Sequence, residues 1–425
     1  MAYSSAELLR VLSDQEAERK ETLARSDIIM REVDSEKLLG YLAHPNILAL
    51  LGIRRCGKSV LSWMLLNGKK YGYINFDDEA LYGISASDLN SVLKAFYELY
   101  GDLDFLIFDE IQNVPGWELF ANRMRRTKKV LLTGSNSEML SGELSTHLTG
   151  RHVDYVLYPF SFREYCAYKR IDLEKISGDI HSTKTSAVME KALGEYTVKG
   201  GLPESYLYGP AILKSIFGDI VSKDIKGRHS IRTGVIEALA KYLVTNYSRE
   251  MSYTKLKDAF RVKKIETMRN YVRYFQDAYL IFVLERFSYK LKEQAIAPKK
   301  VYCIDTGLIN AMGCNFSENK GRLMENLVCT QLHRQSQVQN TEIYYWKNAK
   351  QQEVDYVVKS GTAVSELIQV CYDLGEAETK EREISALLTC GKELRCKNQT
   401  VITWDHEENA EGIKYVPLWK WLIQK

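Results

Sequence analysis

Hydrophobic positions in this chain come in short blocks, and their spacing changes from one region to the next. The run 46–51 has no polar alternation, which suits a strand covered on both faces of a parallel sheet. Further strand candidates follow at 71–76, 104–108, 129–133 and 153–158, with helix-like segments at 59–67, 86–100 and 117–126 between them. Strands alternating with helices predict an α/β domain. Ahead of it, Ala6, Leu8, Leu9, Val11 and Leu12 precede a charged stretch, which predicts a short helix over 6–20 that becomes solvated.

From 160 to 245 the pattern turns helical. Ser161 and Glu164 have the spacing of a capping box and start one helix. The polar stretch 171–188 reads as a loop or insertion, and Gly200-Gly201-Leu202-Pro203 as a firm break. Residues 251–304 form a small unit. Helices are predicted over Thr254–Phe260 and Ile265–Asp277, the second with Ile265, Met268, Val272, Phe275 and Tyr279 at helical spacing. Strands at 280–287 and 299–304, joined by a charged loop, complete a winged-helix outline. From 322 the chain is α/β again, with a helix at 323–336, strands near 342–346, 354–358, 366–370 and 400–404, and a helix at 380–389.

Composition narrows the classes. A chain of 425 residues predicts two or three domains, and 45% hydrophobic with 27% charged residues is ordinary for a soluble protein. No apolar run is long enough for a bilayer span and no apolar signal core opens the chain, so no membrane partner is expected. The eight cysteines lack C-x2-C pairing and the seven histidines lack H-E-x-x-H, which predicts reduced thiols in a cytoplasmic protein and no zinc site. Net charge is only +3, yet residues 251–300 hold twelve Lys/Arg against five Asp/Glu, a local +7. That patch is the footprint of DNA binding. Its candidate contacts are Lys264, Thr267, Arg269, Asn270 and Arg273 on the second helix, and Lys290, Lys292, Lys299 and Lys300 in the hairpin.

The sharpest chemistry follows the first strand. Gly52-Ile53-Arg54-Arg55-Cys56-Gly57-Lys58-Ser59, then Val60 and an apolar helix, is a G-x4-G-K-S phosphate loop. The glycines let backbone N–H groups turn toward an anion, and the helix N-terminus adds positive partial charge. Lys58 would reach the β/γ-phosphates and the Ser59 hydroxyl would ligate Mg²⁺. Arg54 and Arg55 either bind phosphate or cover the loop. The strand 104–108 ends in Asp109-Glu110, where Asp109 can hold Mg²⁺ through water and Glu110 can polarise an attacking water. Strand 129–133 runs into Gly134-Ser135-Asn136-Ser137, and either Ser135 or Asn136 can sense the γ-phosphate. Arg151, just before the next strand, is an arginine-finger candidate, acting on its own or on a neighbouring subunit's nucleotide. A guanine-specific N-K-x-D is absent.

The motifs GIRRCGKS, FLIFDEIQNVPGWE, LLTGSNSEML, HLTGR, YPFSFREY and GGLPE, in this order, resemble an archaeal and bacterial group of AAA-type ATPases with a C-terminal domain of uncertain function. The resemblance implies a parallel-sheet P-loop ATPase of the additional-strand, catalytic-glutamate type, a helical lid, a winged helix and an α/β restriction-endonuclease-like domain. The segments are 1–30 for the N-terminal helix, 31–165 for the ATPase core, 166–248 for the lid, 249–305 for the winged helix and 306–425 for the last domain. Walker A, Walker B, sensor and arginine-finger roles fall on Lys58/Ser59, Asp109/Glu110, Ser135/Asn136 and Arg151.

The last domain resembles the nuclease layout E…D…(D/E)-x-K. Glu325 and Asp355 fit the first two places, but Gln369-Val370-Cys371 stands where (D/E)-x-K should. Glutamine is a poor ligand for a hard cation and cysteine carries no positive charge. Glu366 lies an odd number of residues from Gln369 and would face the other side of a strand. A degenerate nuclease that binds nucleic acid or a partner is therefore expected. The sequence predicts a Mg²⁺-dependent ATPase acting on or with DNA, with a homo-oligomer if Arg151 works between subunits. The alternatives are a nucleotide-gated switch with little turnover and an ATP-regulated metal-dependent nuclease.

Overall fold

The computed structural model of the chain describes residues 3–43, 45–137, 148, 150–229, 231, 233–313, 320–374 and 377–424. His44, Glu138 to Leu140, His147, Thr149 and Cys314, which belong to the motifs or to the histidine and cysteine counts, lie outside them. The chain divides into two compact units, Met1–Tyr158 with Asp277–Tyr279, and Pro159–Gln276 with Leu280–Lys425. No described helix is long and apolar enough to cross a membrane.

The first unit is built on β1 (Ile47–Leu51), β2 (Tyr71–Asn75), β3 (Phe105–Asp109), β4 (Lys129–Gly134) and β5 (His152–Val156). They form a parallel sheet in the order β2-β3-β4-β1-β5. Every residue of β1 and β3 is buried, which explains their unbroken apolar sequences. β4 is the strand inserted between β1 and β3 in space. β2, which separates the same two in sequence, forms the edge. The N-terminal helix runs over Ser5–Leu23, beyond its predicted end, and opens with a Ser4/Glu7 capping box. Its buried Gln15 bonds both backbone groups of Asn75 on β2, so the helix is docked at its middle, while Asp14, Glu18, Lys20 and Glu21 are exposed as expected.

The second unit begins with helices. The stretch expected as a loop over 171–188 is helical instead, as Leu173–Gly178 and the start of Thr183–Lys199. Asp172 caps the first of these through the N–H groups of Glu174 and Lys175, a local signal inside a polar stretch. Next come β6 (Arg249–Met251), β7 (Ile281–Leu284) and β8 (Lys299–Cys303), an antiparallel sheet in the order β6-β8-β7. Helices Tyr253–Ala259 and Ile265–Asp277 lie between β6 and β7 in sequence, and the charged loop before β8 holds a short helix, Leu291–Ile296.

After helix Lys320–Gln339 come β9 (Thr341–Lys347), β10 (Glu353–Ser360), β11 (Ala363–Val370), β12 (Gln399–Thr403), β13 (Glu408–Ala410) and β14 (Ile413–Pro417). They form a mixed sheet in the order β13-β14-β12-β11-β10-β9. One buried apolar cluster joins Tyr165 of helix Phe162–Tyr168, Tyr196 of helix Thr183–Lys199, Leu284 of β7, Tyr302 of β8, Val328 and Ile368. These helices, the three-stranded sheet and the six-stranded sheet therefore share a core, although the sequence reads as separate segments there.

Candidate nucleotide site and a second carboxylate cluster

β1 delivers the glycine loop at its C-terminal end. Gly52 has φ +143°, and a Cβ there would meet the Leu157 carbonyl oxygen at 2.2 Å. Gly57 sits in the left-handed region at φ +97°, immediately before helix Lys58–Leu65. Close approach of the Leu157 carbonyl requires glycine at position 52, and the positive φ favours it at 57. The Lys58 ammonium is buried and donates to the carbonyls of Gly52 and Ile53, each at 3.1 Å. Ser59 and Val60 are half-buried in the first turn of that helix, Arg54 pairs with Asp77 at 3.2 Å, and Arg55 is exposed. Cys56 is buried with its thiol on the Leu157 carbonyl, and burial pushes that thiol up from its ordinary value.

Asp109 and Glu110 stand at the tip of β3. One Asp109 oxygen accepts from the Tyr73 hydroxyl at 2.8 Å and the other from the Thr133 hydroxyl. Burial, and then the Asp109 charge, hold the Tyr73 phenol well above its usual value, so it stays a donor. The same Thr133 oxygen accepts the Glu110 backbone N–H at 3.0 Å. Glu110 has φ +52°, and its carboxylate accepts from Gln112 Nε2 and lies 3.8 Å from Lys58 Nζ.

Strand register brings these groups to one sheet end. Leu51 pairs with Gly134 and Phe108 with Leu132, so the loop, Asp109, Thr133 and the buried Ser135 and Asn136 all lie at the C-terminal ends of β1, β3 and β4. Arg151 is placed elsewhere. Its carbonyl accepts from Ile47 N–H at 3.0 Å, beside the first residue of β1, while the loop leaves the last. The five residues of β1 span roughly 15 Å, beyond the reach of one arginine side chain. Arg151 Nη1 instead contacts Asn122 at 3.4 Å. The structure does not bring Arg151 to its own chain's phosphate loop.

Three residues of the site escaped the sequence reading. Thr133, the polar end of an apolar strand, carried a visible signal. Tyr73 sits among other aromatics on an edge strand and carried none. Arg31 is buried, donating to the Cys56 carbonyl at 2.9 Å and the Tyr158 carbonyl at 2.7 Å, so it braces the loop from behind. It belongs to no local pattern.

A second cluster lies in the other unit. Lys300, in β8, is buried with its ammonium 2.6 Å from Glu353, 3.0 Å from Glu325 and 3.2 Å from Asp355. Burial opposes the charge, but these carboxylates outweigh it and hold Lys300 well above its ordinary value. Burial and the Glu325 charge push Asp355 upward. Gln369 faces Asp355, accepting its N–H at 3.2 Å, and donates to Glu383. Glu366 turns away to Thr400 at 3.1 Å. Cys371 is buried, and burial pushes its thiol up to about 11.

The expected DNA contacts divide. Lys264, Arg269, Asn270 and Arg273 are exposed and Thr267 is half-buried, and Lys290 and Lys292 are exposed. Lys299 and Lys300 are buried counter-ions, Lys299 pairing with Glu285 at 2.7 Å, so the sequence reading of them as DNA contacts is corrected. Strand alternation does not separate them, because both faces of β8 are covered.

The sheet order, the glycine loop leaving β1 and the acidic tip of β3 define a AAA-type P-loop ATPase domain, and residues 44–166 match a family model described as a AAA domain. Residues 190–320 and 320–421 match two further models, each described as a domain of unknown function. The chain belongs to the family of the uncharacterized protein MJ1544 of Methanocaldococcus jannaschii. The two are 35% identical over 428 aligned positions, covering 95% of this chain and 93% of the relative. An uncharacterized protein of Haemophilus influenzae is 24% identical over 423 positions, covering 93% of this chain and 99% of the other. Among solved structures, the Walker-type ATPase PABY2304 of Pyrococcus abyssi is similar with a TM-score of 0.46 at 17% identity, covering 68% of this chain and 97% of that one.

Proposed function

We propose that the protein is a Mg²⁺-dependent ATPase that acts on or with DNA. The observation that carries the reading is the convergence of the glycine loop, Lys58, Asp109, Thr133 and Glu110 at one end of the parallel sheet. The donor set fits a magnesium nucleotide. Gly52 and Gly57 hold the positive-φ turns that a phosphate loop uses, Lys58 supplies the cation for the phosphates, and Ser59 and Asp109 would hold Mg²⁺. When bound, Mg²⁺ neutralises and orients the phosphate oxygens. Glu110 accepts the proton of the attacking water, and Thr133 fixes the backbone that aims it. Ser135 and Asn136, level with the loop across the sheet, read the γ-phosphate. Arg151 serves a neighbouring copy's nucleotide.

The three-stranded sheet with helices Tyr253–Ala259 and Ile265–Asp277 is read as a winged helix, and Lys264, Arg269, Asn270 and Arg273 as its exposed phosphate-contacting face. The six-stranded sheet is read as the degenerate endonuclease-like domain. A second reading, a nucleotide-gated switch with little turnover, is favoured by one observation: Glu110 is held by Gln112 and Lys58 and must be released before it meets water.

Steady-state phosphate release decides between them. Mg²⁺-ATP should be turned over by the wild type, and Glu110→Gln should abolish release while ATP stays bound. Bound ATP with no release by the wild type, with or without DNA, supports the switch. No ATP binding at all ends both readings. DNA affinity should fall steeply with salt, and an affinity insensitive to salt ends the DNA reading.

A further inference from the structure

The nuclease layout that the six-stranded domain resembles requires a divalent metal, and the residues present do not fit one. Gln369 offers a neutral oxygen, and that oxygen already accepts the Asp355 N–H. Both Asp355 oxygens are occupied, one by the Val370 N–H at 3.0 Å and the other by Lys300 at 3.2 Å. One Glu325 oxygen takes both Lys300, at 3.0 Å, and the Tyr302 hydroxyl, at 2.6 Å. A single buried ammonium thus sits within 3.2 Å of three carboxylates contributed by helix Lys320–Gln339 and β10. Lys347 adds a second positive charge, bridging Glu353 at 3.1 Å and Glu250 at 3.2 Å.

The lysine comes from outside the nuclease-like sheet. It rides on β8, the middle strand of the three-stranded sheet. A second clasp holds the same strand to the same helix. Asn326 accepts the Cys303 N–H at 2.8 Å and donates to the Cys303 carbonyl at 2.7 Å. Asn326 follows Glu325 directly, so adjacent residues grip both ends of one short stretch of β8.

We propose that the Lys300 ammonium takes the place of the divalent cation: it is the permanent counter-ion of Glu325, Glu353 and Asp355, so the six-stranded domain is a fastening for strand β8 and not a metal-dependent nuclease. The dependence runs the other way as well: without Lys300, Glu325, Glu353 and Asp355 would crowd together with their shared buried counter-ion gone. Lysine performs this task without dissociating, so the join does not depend on metal supply.

The test uses full-length, nucleotide-free protein titrated with Mn²⁺, following free Mn²⁺ by electron paramagnetic resonance. Wild type and Asp355→Asn should give the same isotherm. Lys300→Met vacates the cation position and should gain one site at least tenfold tighter than any in the wild type, and the double variant Lys300→Met/Asp355→Asn should lose it. A wild-type Mn²⁺ site abolished by Asp355→Asn would overturn the proposal. So would a folded Lys300→Met that gains no site. Should Lys300→Met fail to fold, wild type against Asp355→Asn still decides. A parallel incubation with plasmid and branched DNA in Mn²⁺ gives the second readout: cleavage lost in Asp355→Asn would reveal a working metal site and sink the fastening role, and its loss in Lys300→Met as well would make Lys300 the nuclease lysine.

Discussion

Lys58 and Glu110, the lysine of the glycine loop and the proposed base, lie 3.8 Å apart as an ion pair. A triphosphate must draw Lys58 away from Glu110 and from the two loop carbonyls. Replacing Glu110 by glutamine removes that competitor and a negative charge facing the phosphates. Glu110→Gln should therefore bind ATP two- to fivefold more tightly than wild type, from about 0.5–1 kcal/mol of pairing. Calorimetric titration of both proteins checks this, and equal or weaker binding by the variant would remove the pair from the account.

Thr133 ties the two acidic residues together, donating to Asp109 and accepting from the Glu110 N–H. Thr133→Val keeps the shape and loses both bonds. Turnover should fall by about 10²-fold, in the range for a displaced general base, while ATP affinity changes little. A variant with wild-type turnover would show that Glu110 needs no such brace.

Arg151 stands at the far end of the sheet from its own loop. Arg151→Ala and Glu110→Gln should each be inactive alone. Mixing them should restore turnover, because one supplies the base and the other the arginine. Mixtures as inactive as their components would deny Arg151 a role between copies.

Two buried groups in the second unit titrate in opposite senses. Asp305 caps helix Thr306–Met312, accepting N–H bonds from Gly201 at 2.6 Å and Leu308 at 3.1 Å, and burial pushes its carboxyl up to about 6. Its folded value exceeds its unfolded one, so its stabilisation is full below about pH 4 and is lost as pH rises toward 6. His333 is stacked on Phe282, and burial pushes it down to about 4. The native state keeps it neutral, so its stabilisation is full above about 6.5 and is lost as pH falls toward 4. Each shift is worth about 3 kcal/mol at 1.36 kcal/mol per unit. In urea unfolding between pH 4 and 6.5, Asp305→Asn should make stability rise more steeply with pH than wild type, and His333→Gln should make it rise less. A constant offset from wild type across that range would mean that the substituted group does not titrate there.

The ATPase unit was legible because its signals are local. A glycine loop after an apolar run and an acidic pair at a strand end are short strings that geometry places together. The strand inserted between β1 and β3 was anticipated only as a type, since sequence order names β2 and spatial order names β4. The lysine cluster was illegible for the opposite reason. Lys300 meets Glu325 and Asp355 across 25 and 55 residues, and in the sequence it is one charge in a basic run. Arg31 reaches the loop across 25 residues and Tyr158 across 127. Burial turned these polar residues into counter-ions and braces, and periodicity carries no record of burial for a residue that looks solvated.

The placement of Arg151 also constrains architecture. If Arg151 serves a neighbouring copy's nucleotide, as proposed, its position at the opposite end of the sheet from the loop suits a head-to-tail contact. Where two different surfaces meet in this way the contact is heterologous, whereas a two-fold pair satisfies both sites only if the arginine and the loop lie in one self-complementary patch. Repetition of one such step closes into a ring when the rotation divides a full turn and otherwise grows as a helical filament. An ATPase built this way has a direction along its assembly axis, with one terminal nucleotide in any open chain of copies left without its arginine.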